Sequence, residues 1–187
     1  MKHSHTARYK HVMLRPVEEK DLEALREWRN DSDISTDFLA RLDYITPEKQ
    51  AEWFRKDLEN PDCYTFAICE CQSLNEIVGS VALYNFKDNQ VECGRFLIGH
   101  PGARGKGMGV LAMALCLYTG FTKLGVDKIV AVVHEDNIAA VTVDTRAGFD
   151  IVGRHPSPDG KGYELEIEAA KADFFKKHDF LSEIIAS

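Results

Sequence analysis

Apolar positions at the period of a helix mark two segments in the first third of the chain. Leucine and tryptophan recur at three-residue steps within residues 17–30, which predicts an amphipathic helix. A second helix is predicted to begin at Thr46-Pro47, because threonine is a favoured N-cap and proline is favoured at the first helical position. It is predicted to end near Asn60-Pro61. Residues 31–45 have no clean period and are interpreted as a loop or a broken helix.

The middle of the chain consists of short apolar runs with turn-rich separators, the pattern of β-strands. Runs at residues 64–71, 77–84 and 91–99 follow one another closely, which predicts an antiparallel meander. A continuous apolar run at residues 128–134 predicts a buried central strand. Further strands are predicted at residues 11–15, 151–154 and 163–167.

Three more helices are predicted, at residues 110–124, 137–147 and 169–185. The element order is therefore β-α-α-β-β-β-α-β-α-β-β with a final helix, which indicates a single α+β domain over residues 11–187 after a polar leader at residues 1–10. The apolar sides predicted for the helices are Ala51, Phe54 and Leu58 in the second, Leu111, Leu115, Tyr118 and Leu124 in the third, and Phe174, Phe175 and Leu181 in the last.

Charge and composition narrow the function classes. The formal net charge of −7 argues against nucleic acid as a partner, because phosphate neutralisation requires a basic face. No apolar run reaches the roughly 18 residues that a membrane span requires, and the polar start has no signal-peptide core. A cytoplasmic protein without a membrane partner is predicted. The five cysteines are odd in number and Cys69-x-Cys71 has no second pair at ligand spacing, so no metal site is predicted.

A glycine-rich segment, Arg104-Gly-Lys-Gly-Met-Gly109, lies between a predicted strand and a predicted helix. Glycines at a helix start let backbone N–H groups approach an anion, and the helix dipole adds roughly half a positive charge there. The segment fits neither the P-loop pattern G-x-x-x-x-G-K-[ST] nor the dinucleotide fingerprint G-x-G-x-x-G. What remains is a phosphate-binding turn of another kind or an ordinary flexible loop.

The order Arg104-x-x-Gly107-x-Gly109 resembles the pyrophosphate motif Q/R-x-x-G-x-G/A of the GCN5-related N-acetyltransferase (GNAT) superfamily. Asn137 followed by Ala147-Gly148-Phe149 resembles its N-x-x-A/S…G-F signature, and the element order is similar as well. The resemblance implies the GNAT acyl-CoA N-acyltransferase fold, a mostly antiparallel mixed sheet of about six to seven strands flanked by helices. It also implies an enzyme that transfers the acetyl group of acetyl-CoA to a primary amine by direct attack in a ternary complex, with no metal.

The same resemblance places the co-substrate. Pantetheine is expected along the strand that ends at Gly99, which a bulge holds open, and the strand at residues 129–134 is expected to diverge from it. The pyrophosphate is expected on the loop N–H groups, and Asn137 is expected to contact the pantetheine or the acceptor. The co-substrate residues implied are Leu97, Ile98, Gly99, Arg104, Gly105, Lys106, Gly107, Met108, Gly109 and Asn137.

Glu92, His134 and Asn137 are the catalytic candidates. An amine with a pKa near 10 is mostly protonated at pH 7, so a base or a water chain to one is useful. Glu92 is the first candidate for this base, because bases in the superfamily often lie on this strand, and His134 is the second. The alternative for Glu92 is an exposed strand carboxylate, and for His134 a structural or solvated side chain.

One position departs from the superfamily pattern. Many members carry a tyrosine acid seven residues after the asparagine, where this chain has Asp144. A carboxylate would oppose the developing thiolate charge unless it were protonated. Either Asp144 points elsewhere, or the proton comes from water, Tyr84 or Tyr118.

The acceptor site is expected between the first two helices. Residues 25–30 and 46–53 resemble the subset that acetylates amino sugars linked to nucleotides, within a wider RimJ/RimL-like group that acetylates ribosomal protein N-termini. The acceptor residues implied are Trp28, Arg29 and Asn30, with Phe38 and Trp53, which are suited to stack on a base or grip a phosphate. The alternative is that the tryptophans belong to the core and that Arg29 complements the helix dipole.

Several functions therefore remain open. The acceptor is expected to be a small-molecule amine, with an amino sugar or a nucleotide-linked amino sugar as the first interpretation. RimJ/RimL-like acetylation of a protein N-terminus is the second. A non-catalytic acyl-CoA-binding module, suggested by the missing tyrosine, is the third. The final helix is expected to pack on its own domain or on the second subunit of a homodimer.

Overall fold

The computed structural model describes residues 3–35, 43–158 and 160–177. Within these residues eight strands form one sheet: β1 (Ala7–Tyr9), β2 (Val12–Pro16), β3 (Cys63–Glu70), β4 (Glu76–Lys87), β5 (Gln90–Ile98), β6 (Lys128–His134), β7 (Asp150–Pro156) and β8 (Tyr163–Ala170). Their order across the sheet is β1-β2-β3-β4-β5-β6-β8-β7. Every neighbouring pair is antiparallel except β5 and β6, which are parallel.

The mostly antiparallel mixed sheet is confirmed, and it has a strand more than the resemblance implied. That strand is β1, which lies inside the segment interpreted as a polar leader. Ala7 and Tyr9 are buried and β1 pairs with β2. Residues 7 and 9 are apolar positions in an otherwise polar stretch, a pattern too short to indicate a strand by itself.

The described residues also contain the helices α1 (Leu22–Asn30), α2 (Ser32–Ser35), α3 (Pro47–Glu59), α4 (Met108–Thr122), α5 (Ile138–Ala147) and α6 (Lys171–Lys177). The predicted cap of α3 is confirmed, because the Thr46 hydroxyl accepts a hydrogen bond of 3.3 Å from the N–H of Lys49. Phe38 and Leu181, two residues of the sequence predictions, lie outside the described residues. None of these helices has both the length and the apolar character needed to cross a bilayer.

The apolar side predicted for α3 is wrong at two of its three residues. Ala51 and Leu58 are exposed, whereas Phe54 and Asp57 face the domain. The orientation is possible because the Asp57 carboxylate finds polar partners in the interior, among them the Thr65 hydroxyl, which donates to it at 2.9 Å. Hydrogen bonds of this kind lower the free-energy cost of burying a carboxylate, which is much larger for a charge without partners.

The long helix α4 forms the centre of the core. More of its surface is buried than the predicted apolar side, since Ala112, Ala114 and Leu117 are also shielded from solvent. The tail helix α6 packs on its own domain, where the buried Phe174 ring lies 5.2 Å from the Phe121 ring of α4. The core therefore lies on the α4 side of the sheet, and the glycine-rich loop precedes the N-terminus of this buried helix.

Candidate active site

A groove opens where β5 and β6 separate. The two strands pair from Gln90 with Lys128 to Glu92 with Val130, and the pairing stops there. The groove has a volume of about 1190 Å³ and lies between β5, β6, α4 and α5. The predicted divergence of the strands is confirmed. Because of it, β6 is not the fully buried strand that its apolar sequence predicted: Val132 is 41% exposed and lines the groove.

β5 carries a bulge along the groove wall, as predicted. Ser80 and Ala82 of β4 pair with Leu97 and Gly94, so β5 has one more residue than β4 in this stretch. Arg95, within the bulge, has a φ of 53°, a left-handed conformation that residues other than glycine seldom adopt. Bulges re-aim side chains, and this one places Arg95 on the groove.

The glycine-rich loop closes one end of the groove. Gly105 and Gly107 have φ values of 72° and 74°, and no other atom lies within 4 Å of the place where a Cβ would stand at either residue. Gly107 is the N-cap of α4 and has no side chain to satisfy the first N–H groups of the helix, so these groups can serve an external acceptor. Gly109 is needed for packing, since a Cβ there would lie 3.2 Å from Val143 of α5.

Arg104 and Lys106 occupy different positions. The Arg104 guanidinium folds back onto the end of β5, where Nε donates to the Ile98 carbonyl and Nη2 to the Gly99 carbonyl, each at 3.1 Å. It ties the loop to the strand and keeps a positive charge beside it. Lys106 is exposed and does not line the groove. The predicted co-substrate residues that line it are Leu97, Ile98, Arg104, Gly105, Gly107, Met108, Gly109 and Asn137.

These residues fit acetyl-CoA. The N–H groups at the start of α4, together with the charge of Arg104, suit a pyrophosphate. The edge of β5 beyond Glu92 is not paired with β6, so its backbone groups are available to an extended ligand with amide bonds. The groove between the strands has a volume of about 1190 Å³ and mostly apolar walls, which suit the rest of such a ligand.

The three catalytic candidates all line the groove. Glu92 is half-buried, and its Oε2 accepts a hydrogen bond of 2.9 Å from the Asn85 amide. His134 lies at the end of β6 and is half-buried. Asn137 caps α5, with Oδ1 accepting from the N–H of Ala140 at 2.9 Å. The side-chain oxygen of Asn137 is therefore engaged in holding the helix.

Asp144 is a buried carboxyl on the groove side of α5. It is 7% exposed and lines the groove. Burial raises the pKa of Asp144 to about 7. A carboxyl group with that pKa is partly protonated at neutral pH, so the position can hold and release a proton.

Of the two tyrosines considered as proton donors, Tyr84 lines the groove and Tyr118 does not. The Arg95 guanidinium lies 4.9 Å from the centre of the Tyr84 ring. Burial raises the pKa of Tyr84, which keeps its hydroxyl protonated. The Tyr118 ring instead contacts Phe175 of α6, with 6.2 Å between ring centres.

Of the predicted acceptor residues that the structure describes, Trp28, Arg29, Asn30 and Trp53, only Arg29 lines the groove. Trp28 packs against Gly99, where its ring fills the place of a Cβ. Asn30 holds the segment before α3: its amide donates to the Ile45 carbonyl at 2.8 Å, and its oxygen accepts from the Ile45 N–H at 2.8 Å. These two side chains shape the acceptor side of the groove by packing and hydrogen bonding.

Two residues of the acceptor side were missed by the sequence analysis, Arg95 and Asp57. The Nη1 atom of Arg95 lies 3.2 Å from Oδ1 of Asp57. The signal that could have found Arg95 is a cation within the run Cys93-Gly-Arg-Phe-Leu-Ile98, which is otherwise free of charge. Asp57 gave no such signal, because a carboxylate on an amphipathic helix is ordinarily assigned to the solvent side.

Comparisons with known proteins agree with this geometry. A family model for the acetyltransferase (GNAT) domain matches residues 11–150. The chain is 26% identical over 147 residues to the N-acetyltransferase 9-like protein of Caenorhabditis briggsae. The match covers 73% of this chain and 73% of that protein. The structure of spermidine N-acetyltransferase from Vibrio cholerae with CoA and spermine has a TM-score of 0.78 at 21% identity, covering 88% of this chain and 98% of that chain. The structure of a GNAT-family acetyltransferase from Bacillus anthracis has a TM-score of 0.75 at 20% identity. That match covers 89% of this chain and 99% of the Bacillus anthracis chain.

Proposed function

The chain belongs to the acetyltransferase (GNAT) domain family and is an acetyl-CoA-dependent N-acetyltransferase, and on that premise we propose that it acetylates the primary amine of a small molecule. The observation that carries the proposal is the groove itself. It has the glycine-rich loop at one end and the Arg95 bulge along its wall, so donor and acceptor can meet where β5 and β6 diverge. Direct attack of the amine needs this meeting point and no covalent enzyme intermediate.

Proton transfer is the main chemical task of the side chains. Bound acetyl-CoA supplies an activated thioester, and the acceptor amine must be neutral to attack it. Glu92 is proposed as the base, acting directly or through water, because its carboxylate lines the groove at the point where the strands part. His134, farther along β6, is the second proposed base. Two groups on the groove, Asp144 and Tyr84, are proposed to give a proton to the departing sulfur, because burial raises the pKa of each.

The acceptor proposed from the sequence is an amino sugar or a nucleotide-linked amino sugar. Its support is the guanidinium of Arg29, which lines the groove and suits a phosphate. A small-molecule acceptor is also supported by the spermidine N-acetyltransferase from Vibrio cholerae, which has a similar fold and was solved with CoA and spermine.

A panel of acceptors tests the function. Release of the CoA thiol from acetyl-CoA is measured with amino sugars, nucleotide-linked amino sugars, polyamines and peptides with free N-termini. We expect turnover with small-molecule amines. Turnover confined to peptides that begin with Ser or Ala would instead support the RimJ/RimL-like function.

A second candidate function is a non-catalytic acyl-CoA-binding module. The observation that favours it is Asp144 at the place where the superfamily commonly has a tyrosine acid. This candidate requires that acetyl-CoA raise the Tm while no acceptor in the panel is acetylated. Turnover of any amine well above the rate of thioester hydrolysis excludes it.

A further inference from the structure

Two arginines from different elements meet on the acceptor side of the groove. Arg29 comes from the last turn of α1, and Arg95 comes from the bulge of β5. Both line the groove, and the charge of Arg95, together with burial, lowers the pKa of Arg29. Guanidinium groups so placed are the usual protein partners of carboxylate and phosphate oxygens. We propose that Arg29 and Arg95 form an oxyanion subsite, so that the acceptor is a primary amine that also carries a phosphate or a carboxylate; this inference rests on the proposed acetyl transfer.

Arg95 is held in place before any ligand arrives. Its Nη1 lies 3.2 Å from Oδ1 of Asp57 and 3.4 Å from Sγ of Cys63. Its guanidinium also lies over the Tyr84 ring, 4.9 Å from the centre. A side chain with a third of its surface exposed and this many fixed contacts loses little freedom when it binds an anion.

Arg29 has a different environment, in which its charge is poorly compensated. Its Nε is buried and has no hydrogen-bond partner among the described residues. Its guanidinium lies 5.3 Å from the Trp53 ring, a contact that offers no oxygen acceptor. Burial, with the nearby Arg95 charge, lowers the pKa of Arg29 to about 10. The side chain still carries its charge at neutral pH, and an oxyanion would supply the acceptor that the described residues do not.

The charge balance of this corner favours an anion. Two guanidinium groups share one buried carboxylate, Asp57, whose Oδ1 already accepts from Arg95 and Thr65. Glu92 lines the same groove but is engaged with the Asn85 amide. Glu168 is on the opposite wall and forms an ion pair with Lys128, with 2.8 Å between Nζ and Oε2. A polycation would meet Arg29 and Arg95 with like charges, whereas an anionic group would be attracted to both.

A matched series of amino sugars tests the subsite. Glucosamine, glucosamine 6-phosphate and glucosaminic acid present the same kind of amine beside a neutral group, a phosphate or a carboxylate, and spermidine presents a polycation. With saturating acetyl-CoA, we expect kcat/KM for an anionic compound to exceed that for glucosamine by about 10- to 100-fold, the gain of one or two hydrogen bonds to charged groups. The two anionic compounds distinguish phosphate from carboxylate. Equal or higher kcat/KM for glucosamine or spermidine overturns the inference.

Substitutions then assign the preference to the two arginines. Arg95→Gln and Arg29→Met should remove most of the preference for the anionic compound, because each should lower kcat/KM for that compound more than kcat/KM for glucosamine. Arg55→Gln is the matched control, because Arg55 is an exposed residue of α3 that pairs with Glu59 away from the groove. Arg29→Met should not lower the Tm, since no described residue bonds its Nε. A loss that is equal for neutral and anionic amines, or a large fall in Tm for Arg29→Met, would show a structural role and contradict the subsite.

Binding measurements separate this inference from the proposed function. If no amine is acetylated, titration of glucosamine 6-phosphate and glucosaminic acid into the protein saturated with CoA still reports on the arginines. Binding of either compound that both substitutions abolish supports the subsite and counts against the proposed acetyl transfer. Absence of binding by both compounds overturns the subsite as well.

Discussion

Arg95 and Asp57 join the bulge of β5 to the inward face of α3 through a contact of 3.2 Å between Nη1 and Oδ1. Asp57 is buried, whereas a third of the Arg95 side chain is exposed on the groove. The pair therefore connects the interior of the fold to the acceptor side of the site. Thr65 of β3 donates to the same carboxylate oxygen at 2.9 Å, which fixes its position relative to the sheet.

Asp57→Asn is predicted to loosen the acceptor side while the donor side stays intact. The amide removes the charge that orients Arg95 and leaves a guanidinium without its buried counterion. We expect the free energy of unfolding to fall by about 2–3 kcal/mol, less than for a fully buried pair because Arg95 is partly exposed. KM for the acceptor should rise and KM for acetyl-CoA should stay constant. Asp62→Asn, at an exposed carboxylate just after α3, is the control; a parallel rise in both KM values would contradict the prediction.

Gly107→Ala is predicted to weaken binding of acetyl-CoA. A Cβ at Gly107, the N-cap of α4 with a φ of 74°, would stand in open space at a residue that lines the groove. Gly125→Ala is a matched control, since Gly125 has a φ of 76°, equally open space and a position in the turn before β6. Both substitutions should cost about 1–2 kcal/mol of stability from the left-handed backbone.

The two glycine variants should differ in ligand affinity. We expect the Kd for CoA, measured by calorimetry, to rise at least tenfold in Gly107→Ala and to be unchanged in Gly125→Ala. Equal affinities in the two variants would show that the loop at Gly107 does not approach the ligand, and the pyrophosphate assignment would fail.

The elements with a strong local signal could be predicted from the sequence. The Thr46 cap of α3, the β3-β4-β5 meander and the span of β6 are all confirmed. Each depends on residues close together in the chain, so capping chemistry and periodicity are sufficient to find it.

The acceptor side could not be predicted, because it depends on tertiary contacts. The inward face of α3 is set by partners of Asp57 that lie on other elements of the fold. The exposure of β6 follows from its separation from β5, which leaves Val132 at the groove although its sequence is that of a buried strand. Trp28 and Asn30 belong to a motif that predicted substrate contact, yet their side chains are engaged by Gly99 and Ile45. The motif can be read from the sequence, but the tertiary packing determines which of its side chains line the groove.

Glu92→Gln is predicted to lower the rate of acetyl transfer while leaving the affinity for acetyl-CoA unchanged. The amide keeps the size of the side chain and can still bond to Asn85, which donates to Oε2 at 2.9 Å in the native protein. Loss of a general base typically lowers the rate about 10²- to 10⁴-fold. The loss should be greatest at low pH, where the smallest fraction of the acceptor amine is neutral unless a base removes its proton.

The control for Glu92→Gln is Glu59→Gln, at an exposed carboxylate of α3. The pH dependence of kcat/KM is measured for both variants and for the native protein. A profile for Glu92→Gln that is parallel to the native one would remove Glu92 as the base and leave His134, which lines the same groove.

Asp144→Asn is predicted to stabilise the protein at alkaline pH. Burial raises the pKa of Asp144 from its usual 3.8 to about 7. Between pH 3.8 and pH 7 the folded state therefore keeps a proton on this carboxyl group, whereas the unfolded state has released it. Native stability should therefore fall as the pH rises from 4 to 7, and the substitution should restore up to about 4 kcal/mol above pH 8 and nothing at pH 4. Tm measured at both pH values, with the exposed Asp150→Asn as control, checks this. A gain that is the same at both pH values would show that Asp144 is not buried as a neutral acid and would remove it as a proton donor.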